Sequence, residues 1–144
     1  MLALLQRVSH ARVEVAGELV GQIGPGLLVL VGVQPADGPA QATRLAERLL
    51  GYRVFDDGDG RMNLSLTDTG GGLLLVPQFT LAADTDRGRR PSFTSAAEPR
   101  HAQALFGVLV CLQAWDVPRL VNRRCAPCLP DPGTSSIWLM PSIT

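Results

Sequence analysis

The spacing of apolar residues divides the chain into strands and helices. An apolar run at residues 2–8 precedes an alternating stretch at 12–15, and a further run at 19–23 follows Gly17. Period-two alternation on both sides of a glycine turn is typical of a β-hairpin. An uninterrupted apolar run at residues 27–31 then predicts a strand that is buried on both faces and central in a sheet.

Helical spacing occurs twice. Asp37-Gly38-Pro39 is a typical helix start, and apolar residues recur at helical intervals until Gly51. A second amphipathic pattern begins at Glu98-Pro99 and ends near residues 115–118. Short runs at 52–55 and 73–76 predict further strands. The expected fold is therefore α/β, with a two-layer arrangement of a mixed sheet and two main helices.

The amino-acid composition changes after Leu120, where prolines become frequent. Four prolines follow within the last eighteen positions, at 127, 130, 132 and 141, and the one apolar run is 137–140. Proline opposes regular strand pairing, so the pattern predicts irregular backbone with one short strand at 137–140. We expect a single domain over 1–144, with 120–144 as an atypical segment.

Composition limits the functional classes. The chain has 144 residues, 46% of them hydrophobic, which suits one globular domain. No apolar run approaches the roughly 20 residues of a membrane span, and no export leader is recognisable, so we expect a cytoplasmic protein without a membrane partner. Thirteen basic and thirteen acidic side chains give zero net charge, and every basic residue is Arg. Contact with nucleic acid must then be local.

The sequence offers little for metals or cofactors. Cys125 and Cys128 have the spacing of a redox pair or half a zinc site, but the two histidines stand at no ligand spacing from them. The acidic stretch 56–60 resembles part of a calcium loop, yet it lacks the closing Glu, which favours a plain turn. Phosphate-binding loops and serine-histidine triads are not recognisable. We expect neither metal nor cofactor.

The polar sequence that follows the strand at 73–76 is the candidate for chemistry. Gln78-Phe79-Thr80 and the loop through Arg90-Pro91-Ser92-Phe93 leave an apolar strand. Backbone N–H groups and a hydroxyl at a strand end can stabilise a developing oxyanion without an ionisable side chain. The alternative is an ordinary strand end with a surface arginine loop.

Several motifs in order resemble the D-aminoacyl-tRNA deacylase family, over about residues 1–119. The matching stretches are 4–8, 21–33, 62–65, 78–85 and 88–93. The resemblance implies a homodimer with active sites at the subunit interface. It also implies hydrolysis of the ester that joins a D-amino acid, or glycine, to the 3′ end of tRNA.

The resemblance also assigns roles to residues. Gln78, Phe79 and Thr80 would line the pocket through their backbone amides and the threonine hydroxyl. Thr80 could act as a nucleophile, or it could stabilise the oxyanion while hydrolysis relies on the 2′-hydroxyl of the substrate. We favour the second role, because the sequence shows no base beside Thr80.

Four further residues would contact the substrate: Arg7, Met62, Pro77 and Arg90. Arg7 resembles an arginine that braces the chiral-selection element, and it could have a buried partner or face solvent at a strand edge. Arg90, with Arg87 and Arg89, could contact tRNA phosphates.

Two departures from the family pattern stand out. Pro77 replaces a serine, which removes a hydroxyl and a backbone donor. Asp131-Pro132-Gly133 stands where the family has a Gly-Pro pair that excludes L-amino acids. The tail reflects either divergence or a reading-frame error. The alternative function is therefore a catalytically impaired, dimeric protein that binds the tRNA end or keeps only the scaffold.

Overall fold

The computed structural model describes residues 1–82, 96–116 and 142–143. Eight strands and three α-helices follow one another in the described parts, together with a short 3-10 helix at Phe79–Ala82. In chain order they are β1 (Leu2–Val8), β2 (Ala11–Val15), β3 (Glu18–Ile23), β4 (Gly26–Gly32), α1 (Pro39–Gly51), β5 (Phe55–Asp56), β6 (Met62–Leu64), α2 (Leu66–Thr69), β7 (Gly72–Pro77), α3 (Pro99–Asp116) and β8 (Ser142–Ile143).

The central sheet has the order β1-β4-β7. β1 runs antiparallel to β4, so that Leu2 lies opposite Gly32 and Arg7 opposite Leu27. β7 runs parallel to β4, with Val31 opposite Pro77 at one end. This mixed sheet confirms the predicted α/β class, and β4 is the central strand that its apolar run predicted.

Alternate residues of the central sheet face the two main helices. Leu27, Val29 and Leu75 lie on this side in one core cluster with Leu49 of α1 and Leu109 of α3. The two helices are also joined by a hydrogen bond, because the fully buried Gln113 donates from Nε2 to the carbonyl oxygen of Ala46 at 2.9 Å. The helical layer therefore closes one face of the sheet.

The β2–β3 hairpin covers part of the opposite face. Val13 and Ile23 form a second cluster with Leu28 and Leu74, which point away from the helices. β8 pairs with the outer side of β2, Val13 lying opposite Ile143. The hairpin cluster reaches β1 only at Val8, and Leu4 stays 51% exposed.

Two glycines allow β4 and β7 to begin in close contact. A Cβ at Gly26 would fall on the backbone carbonyl of Gly72, and a Cβ at Gly72 would lie 2.9 Å from the Cβ of Ile23. The peptide N–H of Gly72 donates to the carbonyl of Pro25 at 2.9 Å. No side chain fits at this crossing, so the sheet and the hairpin can meet only through glycine.

Most predicted elements have the expected boundaries. Helix α1 starts at Pro39 and ends at Gly51 as predicted, with Gly38 as the N-cap. The expected strand at 52–55 is displaced, since β5 starts only at Phe55. The backbone is already extended at Tyr52, but the N–H of Val54 donates to the carbonyl oxygen of Tyr52 at 3.1 Å, so a tight turn precedes the first paired residue. The strand predicted at 137–140 lies outside the described residues.

Across the part of the chain that the structure describes, no helix combines the length and the apolar character needed to cross a membrane.

Candidate active site

The candidate site is formed where β7 ends and the 3-10 helix begins. The backbone N–H of Gln78 donates to the carbonyl of Val31 at 2.7 Å, which fixes the first residue after β7 against the end of β4. Gly32 lies under the 3-10 helix: a Cβ there would stand 3.0 Å from the Cβ of Leu81 and 3.3 Å from the carbonyl oxygen of Gln78. The absence of a side chain at Gly32 thus lets this turn sit on the strand end.

The side chains of Gln78 and Thr80 are joined. Nε2 of Gln78 donates to Oγ1 of Thr80 at 2.5 Å. Both residues are half-buried, whereas the Phe79 between them is 43% exposed. An amide donor directed at the hydroxyl oxygen leaves the hydroxyl proton available to another acceptor.

One expected oxyanion donor is not available in this arrangement. The sequence predicted that the backbone amide of Gln78 would line the pocket, but its N–H is directed into the sheet, at the carbonyl of Val31. Each peptide N–H supplies one donor. The donors that this residue can present to a ligand are therefore those of its side chain.

Pro77 causes no break in the sheet. The bond from Gln78 to Val31 continues the pairing beyond the proline, and successive residues of a strand direct their N–H groups to opposite sides. The missing donor of Pro77 is on the side away from β4. In the described sheet β7 is an edge strand, where proline is tolerated. The change from serine therefore removes a hydroxyl and leaves the strand intact.

Arg7 lies in a second polar cluster. Its Nη1 is 3.0 Å from Oδ2 of Asp56, and the side chains are 46% and 52% exposed. Within the single chain this ion pair is at the surface, as in the solvent-facing alternative. Asp56 pairs with Met62 across β5 and β6, and Met62 is 62% exposed.

The two clusters lie apart within one chain. Arg7 is opposite Leu27 and Pro77 is opposite Val31, so four positions of β4 separate them. This spacing corresponds to about 13 Å along the strand direction. The structure thus brings Gln78 and Thr80 together, and it places Arg7 and Met62 near the other end of the sheet.

The acidic stretch is a turn that is closed by its own residues. Oδ1 of Asp57 accepts from the backbone N–H groups of Asp59 and Arg61, both at 2.9 Å, and Oδ2 accepts from Nδ2 of Asn63 at 2.6 Å. These bonds, that from Arg61 first, hold the pKa of Asp57 below its ordinary value of 3.8. The predicted turn is confirmed. Within the described ranges, no three acidic, histidine or cysteine side chains are grouped to hold a metal ion.

Some predicted residues cannot be placed. Arg87, Arg89 and Arg90 lie outside the described residues, and so do the pair Cys125 and Cys128 and the segment 131–139. Their assignments remain predictions.

Sequence reasoning missed the partner of Arg7. Asp56 is one of several neighbouring acidic residues, and nothing in their spacing distinguishes the one that faces Arg7. It also missed the direct bond between Gln78 and Thr80. Their spacing of two residues is compatible with such a bond only if the chain turns at once after β7.

The chain is similar to several known proteins. The family model described as D-Tyr-tRNA(Tyr) deacylase matches residues 4–116. A D-aminoacyl-tRNA deacylase of Thioalkalivibrio sulfidiphilus is 60% identical over 144 residues, covering 96% of each chain. That alignment extends into most of the segment after residue 120. A D-aminoacyl-tRNA deacylase of Stenotrophomonas maltophilia is 66% identical over 110 residues, 76% of this chain and 75% of the relative.

Two solved structures share the fold. One is described as a c-Myc DNA Unwinding Element Binding Protein, with a TM-score of 0.77 and 29% identity, over 82% of this chain and 80% of that one. The other is described as a probable eukaryotic D-amino acid tRNA deacylase, with a TM-score of 0.70 over 81% and 68%. At 18% identity, the second supports the fold alone.

Together these matches make the chain a hydrolase that acts on ester bonds. More particularly, the chain belongs to the D-Tyr-tRNA(Tyr) deacylase family.

Proposed function

We propose that this enzyme hydrolyses the ester bond of D-aminoacyl-tRNA, and of glycyl-tRNA, to give free tRNA and the amino acid, in the cytoplasm. Family membership supports the reaction, and the hydrogen bond from Gln78 to Thr80 at the end of β7 is the observation that carries the site. Arg7, Met62, Pro77 and Arg90 complete the proposed substrate contacts.

The geometry favours Thr80 as a donor over Thr80 as a nucleophile. A threonine nucleophile must transfer its proton to a base. Among the described residues, the amide of Gln78 contacts its oxygen; this amide donates a hydrogen bond and has no basic site for a proton at neutral pH. Because the hydroxyl oxygen accepts this bond, its proton remains available to donate to an oxyanion.

Water is then the attacking group, and the substrate supplies the group that activates it: the water oxygen adds to the ester carbonyl, and the ribose 3′-oxygen leaves with a proton. In this proposal the 2′-hydroxyl of the terminal ribose assists cleavage of the neighbouring ester, and Thr80 with the side chain of Gln78 stabilises the negative charge that develops on the carbonyl oxygen. The enzyme contributes position and hydrogen-bond donors.

A homodimer is part of the proposal, and two observations support it. Leu2 and Leu4 are 38% and 51% exposed on a sheet face that the β2–β3 hairpin leaves open. In addition, within a single chain Arg7 lies about 13 Å along the strand direction from Pro77, so the two groups of proposed contacts are at opposite ends of β4. A second copy of the chain could cover the open face and complete the pocket.

The direct test is release of labelled amino acid from D-tyrosyl-tRNA, L-tyrosyl-tRNA and glycyl-tRNA. We expect the D-tyrosyl and glycyl esters to be cleaved. Thr80→Val, which replaces the hydroxyl by a methyl group of similar size, should lower the rate by about 10²- to 10³-fold, and Thr80→Ser should retain most of it. Thr43→Val is the matched control, since it removes an exposed hydroxyl of α1.

The mechanism has its own test. A D-tyrosyl-tRNA that ends in 2′-deoxyadenosine should not be cleaved, and no acyl group should appear on Thr80 in a rapid acid quench. An acyl-threonine would show that Thr80 is the nucleophile. If the chain cleaves neither D- nor L-tyrosyl-tRNA but still binds them, it is the impaired, dimeric tRNA-end binding protein.

A further inference from the structure

The first residue of the chain takes part in an ion pair inside the fold. The α-amino nitrogen of Met1 lies 2.5 Å from Oδ1 of Asp37, and the side chains of the two residues are 1% and 8% exposed. The side chain of Met1 packs against the core cluster beneath the helices. The ammonium group is thus held at the place where β1 enters the sheet.

Asp37 connects three parts of the molecule. Its Oδ2 accepts from the backbone N–H of Gln34 at 2.7 Å, in the loop between β4 and α1. Its own carbonyl oxygen lies 2.8 Å from Nε2 of His101, in the first turns of α3. Through Oδ1 it holds the start of β1. A buried carboxylate that lost its cation here would disturb all three contacts.

The α-amino group has no substitute in the chain. All thirteen basic side chains are Arg, so the sequence contains no lysine, and the nitrogen of Met1 is the one primary amine it supplies. Acylation of that nitrogen forms an amide, which carries no charge and one N–H. No flexible ammonium group elsewhere could replace it beside Asp37.

We propose that the α-amino nitrogen of Met1 is a modification-sensitive site: acylation of this nitrogen, or extension of the chain before it, removes the cation that Asp37 binds and loosens the start of β1. This inference does not rest on the proposed catalytic function, because its first readout is the stability of the fold.

The site is also next to the candidate active site. Leu2 lies opposite Gly32, and Gly32 supports the 3-10 helix that carries Thr80. Loss of order at the start of β1 would therefore also disturb Gly32, which supports the 3-10 helix after β7. We expect modified chains to lose activity in proportion to the loss of structure.

The absence of lysine makes the test specific. The unfolded 144-residue chain is treated with the N-hydroxysuccinimide ester of acetic acid, then with hydroxylamine to reverse side reactions, and refolded. The amine forms an amide bond to the acetyl carbon, the ester C–O bond breaks, and N-hydroxysuccinimide leaves with the proton. Intact mass should show one acetyl group.

The acetylated chain should melt about 5 °C or more below a mock-treated chain. In Asp37→Asn, which has lost the carboxylate, acetylation should change the melting temperature by less than about 1 °C, because the partner is already gone. In Asp59→Asn, which changes an exposed carboxylate, the effect of acetylation should be undiminished. An equal effect in the Asp37→Asn chain, or none in the parent, would overturn the proposal.

A second variant keeps the test decisive if Asp37→Asn does not fold. One glycine added before Met1 retains a charged α-amino group but moves it about 3.8 Å along the chain. We expect this chain to lose as much stability as the acetylated one. If the extended chain melts with the parent, the position of the amine is irrelevant and the inference is wrong.

Discussion

At the scale of single residues, two of the polar side chains described above are positioned by neighbours close in sequence. Thr80 is held by Gln78, two residues away, and Asp57 is held by the backbone of its own turn. Such contacts depend on whether the backbone turns, so residue types alone could not predict them. The sequence did identify Gln78 and Thr80 as candidates, and the structure brings them into contact.

The turn around Asp57 makes stability depend on pH. Hydrogen bonds hold the pKa of Asp57 below its ordinary value of 3.8, so this carboxylate stabilises the fold above that value. The contribution is lost as pH falls through the lowered pKa of the folded state. Asp57→Asn should therefore be less stable than the parent at about pH 6, and the difference should shrink by about pH 3.

Urea denaturation at the two pH values measures this difference. Asp59→Asn serves as the control, because Asp59 is exposed and contributes its backbone N–H, not its carboxylate, to the turn. A gap between Asp57→Asn and the parent that stayed constant with pH would contradict the assignment.

At the scale of elements, the long apolar patterns predicted the long strands and helices. The uninterrupted run in β4 predicted a strand buried on both faces, and the caps of α1 fixed its ends. The short β5, β6 and α2 were missed or displaced. They span two to four residues, too few for a periodic pattern to emerge.

The crossing of β4 and β7 predicts a strong effect of one methyl group. In Gly26→Ala the new Cβ meets the backbone of Gly72, which cannot move without breaking its bond to the carbonyl of Pro25. We expect a loss of about 2–4 kcal/mol in the free energy of unfolding.

Gly24→Ala is the control for this substitution. Gly24 lies two residues earlier, and a Cβ there meets no atom within 4 Å. Its free energy of unfolding should stay within about 0.5 kcal/mol of the parent in urea denaturation. If Gly26→Ala were equally harmless, the two strands would have to start farther apart than described.

At the scale of the whole molecule, the open face of β1 is the feature that a single chain leaves unexplained. Its apolar residues Leu2 and Leu4 point away from the helices and beyond the reach of the hairpin. The resemblance predicted a dimer. A sequence pattern cannot distinguish an apolar residue that packs within its own chain from one that packs against a second copy.

Substitution of Leu4 tests the proposed dimer. Leu4→Asp should convert a dimer to a monomer in light scattering coupled to size exclusion, and it should lower the cleavage of D-tyrosyl-tRNA, because a charge opposes burial between subunits. Leu19→Asp alters a residue of β3 that is equally exposed, at 53%, and should leave both unchanged. A Leu4→Asp chain that remained dimeric would exclude this face as the interface.

The parallel pairing of β4 with β7 joins parts of the chain that are far apart in sequence. Leu27 can meet Leu73 only after the chain from residue 33 to residue 71, including all of α1, has been brought back across the sheet. Closing so long a loop costs entropy before any contact compensates for it. The hairpin and the helices can form from local contacts, so we expect the joining of these two strands to follow them during folding.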